Sequence, residues 1–399
     1  MTPAVQPTLV ADVLVNLFGA LGACVVAYNL RLSDPKGAVT SRAVFALGLV
    51  ALLFLTRCLA WSTGSAFLDG LVDIISATTP LAGLLVAEGL LRRHAPRRLK
   101  VAILAGTLLV VSITLLPGTP TIVASGAVLA VVAGGFGAIG VLLWTRDRAS
   151  LSEVENAGIR RVVIAMALLV PLIATDFRSI WPDVPIRFGA VGALVVLFFA
   201  FGPGRSTDRE RIVSLVVFAA IATLFAFGYV SAGHGEDLGQ AIRATAVGLC
   251  GLIFAALSSE VLGARSERRR PADPLLAAST REQFAAALKD HRLISNAVIL
   301  DAADVEPLHH PAFENLMTEK PVLRRADAPW ARSARDDGVE RAMSLFITYD
   351  ATHLMRLSPQ PLRLAIFALP QISSDVRAES EIVAAQRVGE MIFAHAGHP

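Results

Sequence analysis

The segment Thr121–Trp144 reads TIVASGAVLAVVAGGFGAIGVLLW and carries no charged residue from end to end. A hydrocarbon core needs about 20 consecutive apolar residues per helix. Segments of this kind fill the first two thirds of the chain, separated by short polar loops: Leu9–Asn29, Ala43–Trp61, Ala66–Leu91, Val101–Pro117, Thr121–Trp144, Val162–Trp181, Ile186–Gly202, Ile212–Ala232 and Ala241–Gly263. The chain is therefore predicted to be a polytopic α-helical membrane bundle of about nine spans. Eight is the alternative count, because the fourth and seventh segments are the shortest and the ninth is among the more polar.

The composition changes near Arg265, which predicts three parts: a bundle at 1–264, a basic and Pro-containing linker at 265–274, and a small domain at 275–399. The predicted elements of the domain are a helix at Thr280–His291, a strand at Asn296–Leu300, a helix at Pro311–Glu319, a strand at Met343–Thr348, a hairpin of Ala351–Leu357 and Leu362–Leu369, and a final helix capped by Ser373 or Ser374. This order predicts an α+β domain, not an alternating βαβ chain. A winged-helix domain is the alternative.

Basic residues concentrate in every second connection between the apolar segments. Two of these connections carry Arg31, Lys36 and Arg42, and Arg92, Arg93, Arg97, Arg98 and Lys100, whereas the alternate connections hold almost none. Basic loops favour the cytoplasmic side. The N-terminus is therefore predicted outside and the domain at 275–399 in the cytoplasm, with the bundle in a bacterial-type inner (plasma) membrane. Arg92, Arg93, Arg97, Arg98, Arg268, Arg269 and Arg270 are predicted to lie at the anionic inner leaflet.

The net charge of +3 does not indicate a nucleic-acid partner. The basic residues are explained by the loops, and acidic residues outnumber basic ones in the C-terminal domain. Binding to a phosphate backbone requires a basic face. The predicted partners are the lipid bilayer and either another protein or a second copy of the chain.

Several polar residues lie inside the predicted spans, where a charge is costly and usually marks a function or an ion pair. With the orientation above, seven of them fall at the outer side of the bundle: Asp12, Asn16, Arg57, Asp69, Asp73, Asp176 and Arg178. They are candidates for binding a ligand or an ion. The alternative is mutual pairing that only stabilises the bundle, for example between Arg57 and Asp69 or Asp73.

The third and fifth segments have further local features. Pro80 is expected to kink the third segment, and the nearby threonine hydroxyls can bind the carbonyl groups that it leaves free. In the fifth segment Gly126, Ala130, Gly134 and Ala138 recur every four residues. Small residues at this spacing let helices approach closely, so tight packing is predicted here.

No cofactor is predicted. No lysine lies in any span, which excludes a retinal Schiff base, and no histidine lies in the interior of one, which excludes a transmembrane bis-histidine haem. In the domain, His309, His310, Glu314 and His353 form a weak candidate set of zinc ligands, but their spacing matches no zinc motif. A solvated loop is the expected state of the histidine pair.

The C-terminal domain contains no phosphate-binding loop, GxGxxG or G-x-S-x-G sequence. It is therefore interpreted as non-catalytic. The first hypothesis is a membrane sensor, regulator or partner-docking protein. A transporter or transporter subunit that uses Asp69, Asp73 and Arg57 is one alternative, and a membrane-embedded enzyme acting on lipid is another.

Overall fold

The computed structural model describes residues 7–33, 37–148, 151, 153–201, 208–231, 238–266, 274–290, 294, 297–305, 310–325, 337–369 and 378–395. Contacts divide the chain into two compact units. One is helical and comprises Met1–Arg31, Val39–Arg146 and Ile159–Gly263; the other comprises Leu32–Ala38, Asp147–Gly158 and Ala264–Pro399. Most of the predicted linker lies outside the described residues.

The helical unit confirms the predicted membrane bundle. Its helices are α1 (Pro7–Ser33), α2 (Ala38–Thr63), α3 (Ala66–Leu91), α4 (Arg97–Leu115), α5 (Thr121–Trp144), α6 (Glu153–Ala174), α7 (Gly189–Phe201), α8 (Asp208–Tyr229) and α9 (Leu238–Ser266). Within the described residues, eight of these are long and apolar enough to cross a membrane. The exception is α7, whose 13 residues reach only about 20 Å, less than the roughly 30 Å of a hydrocarbon core. Eight helices are thus long enough to cross alone, and the seventh predicted segment corresponds to the shorter apolar helix α7.

Large apolar side chains cover the outside of the bundle. On α8, Leu224, Phe225 and Phe227 are 72%, 70% and 69% exposed. Contact with lipid tails makes such a surface favourable, whereas in water it would drive association. The protein is thus a multi-pass membrane protein.

The contact between α3 and α5 depends on one glycine. A Cβ atom added to Gly135 would lie 2.6 Å from the Cβ of Pro80, so only glycine fits there. Gly135 was not among the small residues for which close packing was predicted, and the prediction was wrong for Gly126 and Gly134. A Cβ atom added at Gly126, Gly134 or Gly137 meets nothing within 4 Å.

Pro80 lacks an N–H group, which leaves carbonyl groups in the preceding turn of α3 without their usual donor. The hydroxyl of Thr79 donates to the carbonyl of Ser76 at 2.7 Å, and the hydroxyl of Thr107 on α4 donates to the carbonyl of Ala77 at 2.8 Å. The predicted role of threonine hydroxyls near the proline is confirmed for Thr79.

The C-terminal region is α+β, as predicted. Its elements are α10 (Pro274–Ala277), α11 (Arg281–Asp290), β1 (Val298–Leu300), α12 (Ala302–Val305), α13 (Pro311–Glu319), β2 (Val322–Arg324), α14 (Asp337–Thr348), β3 (His353–Pro359), β4 (Leu362–Phe367) and α15 (Ala378–His395). The strands form an antiparallel sheet in the order β1-β4-β3-β2. The predicted hairpin corresponds to β3 and β4.

Helices cover both faces of this sheet. Alternate residues of β4 point to opposite sides, so Ala365 and Phe367 join one apolar core and Leu364 and Ile366 the other. The first core is completed by α11 and α15, and the second by α13 and α14.

The strand predicted at Met343–Thr348 is instead the second half of α14. Its buried residues Ala342, Leu345 and Phe346 follow helical spacing. The sequence interpretation failed because it considered only the apolar end of the segment and left out the polar first turns from Asp337. The short edge strand β2 was also not predicted.

Candidate functional site

Five charged residues come together inside the helical unit, and we call them the buried charge cluster: Asp12, Arg57, Asp176, Arg178 and Arg187. Asp12 lies about one and a half turns after the start of α1, and Arg57 lies a similar distance before the end of α2. The other three belong to the non-helical connection between α6 and α7. The cluster therefore joins two helices to one irregular segment.

The irregular connection begins where α6 ends at Ala174. The hydroxyl of Thr175 accepts a hydrogen bond from the N–H of Phe188 at 2.9 Å, and the carboxylate of Asp176 accepts one from the N–H of Gly189 at 2.8 Å. These two side chains satisfy N–H groups at the start of α7. Non-helical backbone at membrane depth requires such internal partners.

Gly189 is required for this arrangement. A Cβ atom added there would overlap a carboxylate oxygen of Asp176. The absence of a side chain lets the carboxylate approach the first turn of α7, where the helix dipole favours a negative charge.

Asp176 also forms an ion pair with Arg57, and the two side chains are only 4% and 8% exposed. This corrects the sequence-based pairing of Arg57 with Asp69 or Asp73. The physical reason is that the connection after α6 folds back among the helices and brings Asp176 to α2. The order of the spans along the sequence does not show that this connection contacts α2.

Asp12 is completely buried and holds the other end of the same connection. It accepts a hydrogen bond from the backbone N–H of Arg187 at 3.0 Å, and its carboxylate lies 2.9 Å from the guanidinium of Arg178. The side chain of Asn16, one turn along α1, donates to the carbonyl of Asp12 at 2.8 Å. These contacts fix the segment before α7 against α1.

Arg187 is the member of the cluster that the sequence analysis did not name as a site residue. Its guanidinium donates to Asp12 at 3.4 Å and lies 3.8 Å from the ring centroid of Trp61 on α2, a cation–π contact. The available signal was an arginine at the start of a predicted span, which was interpreted only as a boundary charge.

The structure does not bring Asp69 and Asp73 into ion pairs. Asp69 is exposed and Asp73 is half-buried on α3. Within the described residues neither carboxylate lies within ion-pair distance of a basic group, although the charge of Asp73 interacts with that of Arg57. Of the seven predicted residues, Asp12, Asn16, Arg57, Asp176 and Arg178 thus assemble, and the two on α3 stand apart.

A cavity of about 70 Å³ lies beside the Arg57–Asp176 pair. Its polar lining consists of these two residues with Ser76 and Thr79 of α3, and apolar residues such as Phe54 and Ala193 form much of the remainder. A single water needs roughly 10–15 Å³ of such space. The cavity can therefore hold a molecule of several non-hydrogen atoms.

The weak zinc candidates are not gathered at one point in the described residues. His310 caps α13 by accepting from the N–H of Ala312, and its other ring nitrogen lies 3.3 Å from Asp337. His353 is buried on β3 and stacks on Phe367 in the other apolar core. Glu314 lies on α13, and His309 is outside the described residues. The described part of the chain contains no group of three potential ligands placed to hold a metal.

The basic connection between α3 and α4 is partly anchored by a buried acid. Glu88 at the end of α3 forms an ion pair with Lys100 at 2.5 Å and accepts from the N–H of Ala95 at 2.7 Å. Arg92 adopts a left-handed conformation that ends α3. Of the other predicted lipid-facing residues, Arg93, Arg97 and Arg98 are exposed, whereas Arg268, Arg269 and Arg270 lie outside the described residues.

No known protein family, curated protein or solved structure matches the chain. The geometry of the charge cluster and the cavity is therefore the basis for a functional proposal.

Proposed function

We propose that the protein is a membrane sensor that binds a small ligand in the cavity beside Arg57 and Asp176. Its C-terminal α+β region then reports the occupied state or docks a partner protein. The observation that carries this proposal is the cavity itself, because it adjoins a buried ion pair that also caps a helix. A ligand at this position can change the connection between α6 and α7.

The lining of the cavity supports binding of a small molecule. Ligand sites are typically apolar with a few polar groups that converge on one side. Here Arg57, Asp176, Ser76 and Thr79 supply the polar groups, and the remaining walls are largely apolar.

The packing beyond the cavity favours a sensor over the alternative of a transporter. One turn along α3 and α5, Pro80 packs against Gly135. About one turn further along α3, a Cβ atom at Gly83 would lie 3.1 Å from the ring of Phe136, which itself lines the cavity. These close contacts make a continuous polar path along this helix pair unfavourable.

The proposed orientation has the N-terminus outside and the C-terminal region in the cytoplasm, as the basic connections favour. It requires an odd number of membrane crossings. The ninth crossing is made by α7 together with the irregular connection before it.

Single cysteines in a cysteine-free variant test the orientation. An impermeant thiol reagent applied to intact cells should label Gly118→Cys, in the connection between α4 and α5, and leave Glu390→Cys unlabelled until the membrane is opened. Labelling of Glu390→Cys in intact cells would contradict this orientation.

Three probes of equal length test the sensor proposal: propanoate, propan-1-ol and propan-1-amine. The full-length protein in nanodiscs is examined for binding by saturation-transfer NMR and for a response by hydrogen–deuterium exchange of residues 274–395. We expect at least one probe to bind and to alter exchange there.

The variant Ala193→Phe fills the cavity, and Ala130→Phe, at an exposed position on α5, is its matched control. We expect the first substitution to abolish binding and response and the second to leave both unchanged. Binding that survives Ala193→Phe would place the ligand elsewhere. Uptake of a bound probe into proteoliposomes would instead identify a transporter.

A further inference from the structure

The cavity wall contains more hydrogen-bond donors than it uses. The guanidinium of Arg57 has five N–H groups, but its only hydrogen bond within the described residues is to Asp176. The other guanidinium nitrogens of Arg57 are not fully enclosed by protein atoms. Arg57 also lines the cavity. The unused donors of this buried arginine can therefore be reached from the cavity.

Ser76 adds a second unused donor at the same wall. The residue is 4% exposed and lines the cavity, and its hydroxyl has no hydrogen-bond partner in the part of the chain that the structure describes. The neighbouring Thr79 differs, because its hydroxyl donates to a backbone carbonyl of α3. Ser76 is thus the hydroxyl of the α3 wall that remains available to a ligand.

Each carboxylate oxygen at the wall already accepts one hydrogen bond. One carboxylate oxygen of Asp176 accepts from Arg57 and the other from the N–H of Gly189. These oxygens and the hydroxyls of Ser76 and Thr79 keep some accepting capacity, whereas Arg57 offers charged donors that only a ligand with acceptor groups can use.

The balance of charge points the same way. The buried charge cluster by itself contains three guanidinium groups and two carboxylates, an excess of one positive charge that the nearby carboxylate of Asp73 partly offsets. In a medium of low dielectric constant an excess positive charge attracts an anion strongly. A guanidinium also binds a carboxylate or phosphate with two parallel hydrogen bonds.

We infer that the ligand of this cavity is an anion, a carboxylate or a group of similar charge on a small apolar body, and that Arg57 and Ser76 bind its charged end. This inference rests on the proposed function and specifies its ligand class. The apolar body lies against the wall that includes Phe54 and Ala193. Arg57 then shares its donors between Asp176 and the ligand.

The same probes separate the two proposals. In nanodiscs of neutral phosphatidylcholine we expect propanoate to bind at least about tenfold more tightly than propan-1-ol or propan-1-amine, as the loss of a charge-assisted hydrogen bond predicts. If the alcohol and the amine bind as well as propanoate and Ala193→Phe blocks all three, the cavity is a ligand site but the anion inference is wrong. If none of the three binds, both proposals are wrong.

Substitutions of opposite expected effect identify the residues. Arg57→Gln should weaken propanoate binding at least about tenfold, whereas Asp73→Asn should strengthen it, because a nearby negative charge is removed. If Arg57→Gln fails to fold, Ser76→Ala is a milder test of the same site. Its control is Ser112→Ala, because the hydroxyl of Ser112 donates to a carbonyl of its own helix. We expect weaker binding for Ser76→Ala alone. Equal affinity in Ser76→Ala and Ser112→Ala, together with no gain in Asp73→Asn, would overturn the inference.

The anion can come from solution or from the bilayer, since both carry the same chemistry. Nanodiscs that contain phosphatidylglycerol distinguish the two sources. If the natural ligand is a lipid headgroup, these discs raise the apparent dissociation constant of propanoate, and Arg57→Gln removes that competition. If the ligand is soluble, the dissociation constant is the same in both kinds of disc.

Discussion

The helical bundle and the C-terminal region treat buried charge in opposite ways. The bundle buries Asp12 completely and leaves Arg57 only 6% exposed. The two cores of the C-terminal region are apolar, and the ion pair between Arg356 and Glu390 lies near the surface, with side chains 13% and 31% exposed. The difference shows what each unit must hold in place. The bundle must anchor an irregular connection, which requires specific polar partners, whereas the sheet is held by apolar side chains on both faces.

The largest effect is expected where this contrast is sharpest, at Asp176. Asp176→Asn leaves Arg57 buried without its counterion and removes a charged cap from α7. Breaking one side of a buried pair costs about 3–5 kcal/mol. The measurement is the free energy of unfolding of the purified protein in a mixed-micelle titration, with Asp183→Asn, an exposed residue of the same connection, as control.

The double variant Arg57→Gln with Asp176→Asn tests whether the cost arises from the pair. It should be more stable than Asp176→Asn alone, since no uncompensated charge remains. If the double variant is no more stable than the less stable of the two single variants, the loss of stability does not arise from the broken ion pair. Asp73→Asn should cost less than Asp176→Asn, because Asp73 forms no ion pair in the described structure.

In the C-terminal region the expected loss of stability depends on how much side-chain volume a substitution removes from the core. Leu364 of β4 is completely buried in the core formed with α13 and α14. Leu364→Ala should cost about 2–5 kcal/mol because it opens a cavity, whereas Leu364→Met, which keeps the volume, should cost under about 1.5 kcal/mol. Hydrogen exchange of the sheet in the full-length protein measures both. Equal losses for the two substitutions would indicate that shape, and not volume, controls this core.

Two adjacent glycines of α5 test the packing of the bundle. Gly135→Ala places a methyl group against Pro80, and overpacking of this kind costs about 1–3 kcal/mol. Gly134→Ala meets nothing within 4 Å and should be neutral or slightly stabilising, by at most about 1 kcal/mol, because alanine favours a helix. Thermal unfolding compares the pair directly. A similar loss at both positions would mean that Gly134 also has a close neighbour, such as a second copy of the chain.

The smallest effect is expected at the partly exposed ion pair. Glu390→Gln removes a contact of 2.6 Å to Arg356, but exposed pairs contribute only about 0.2–1 kcal/mol. Glu340→Gln, at an exposed position on α14, is the control for the charge change. Thermal unfolding in low and high salt should show a small difference that salt reduces. A loss as large as that of Asp176→Asn would remove the contrast between the two units.

Much of the architecture could be predicted from local patterns. Long uncharged segments separated by basic loops identify a membrane bundle, since lipid permits few alternatives for the backbone. In the C-terminal region, Pro311 at the start of α13 and the turn between β3 and β4 marked their elements clearly. The prediction failed at α14, because only its apolar C-terminal half was considered. The helical spacing becomes visible only when the polar first turns of the helix are included.

The candidate site was only partly predictable, for a reason specific to membranes. Sequence alone identified Asp12, Arg57, Asp176 and Arg178 as polar residues at one side of the bundle, because loop charges determine the depth of each residue. It could not show which of them meet. A helix in lipid is apolar on its inner and its outer face, so periodicity does not reveal the direction in which Asp73 or Gly134 points. Only the tertiary structure, with its irregular connection folded back between α1 and α2, decided that Arg57 pairs with Asp176 and that Arg187 belongs to the cluster.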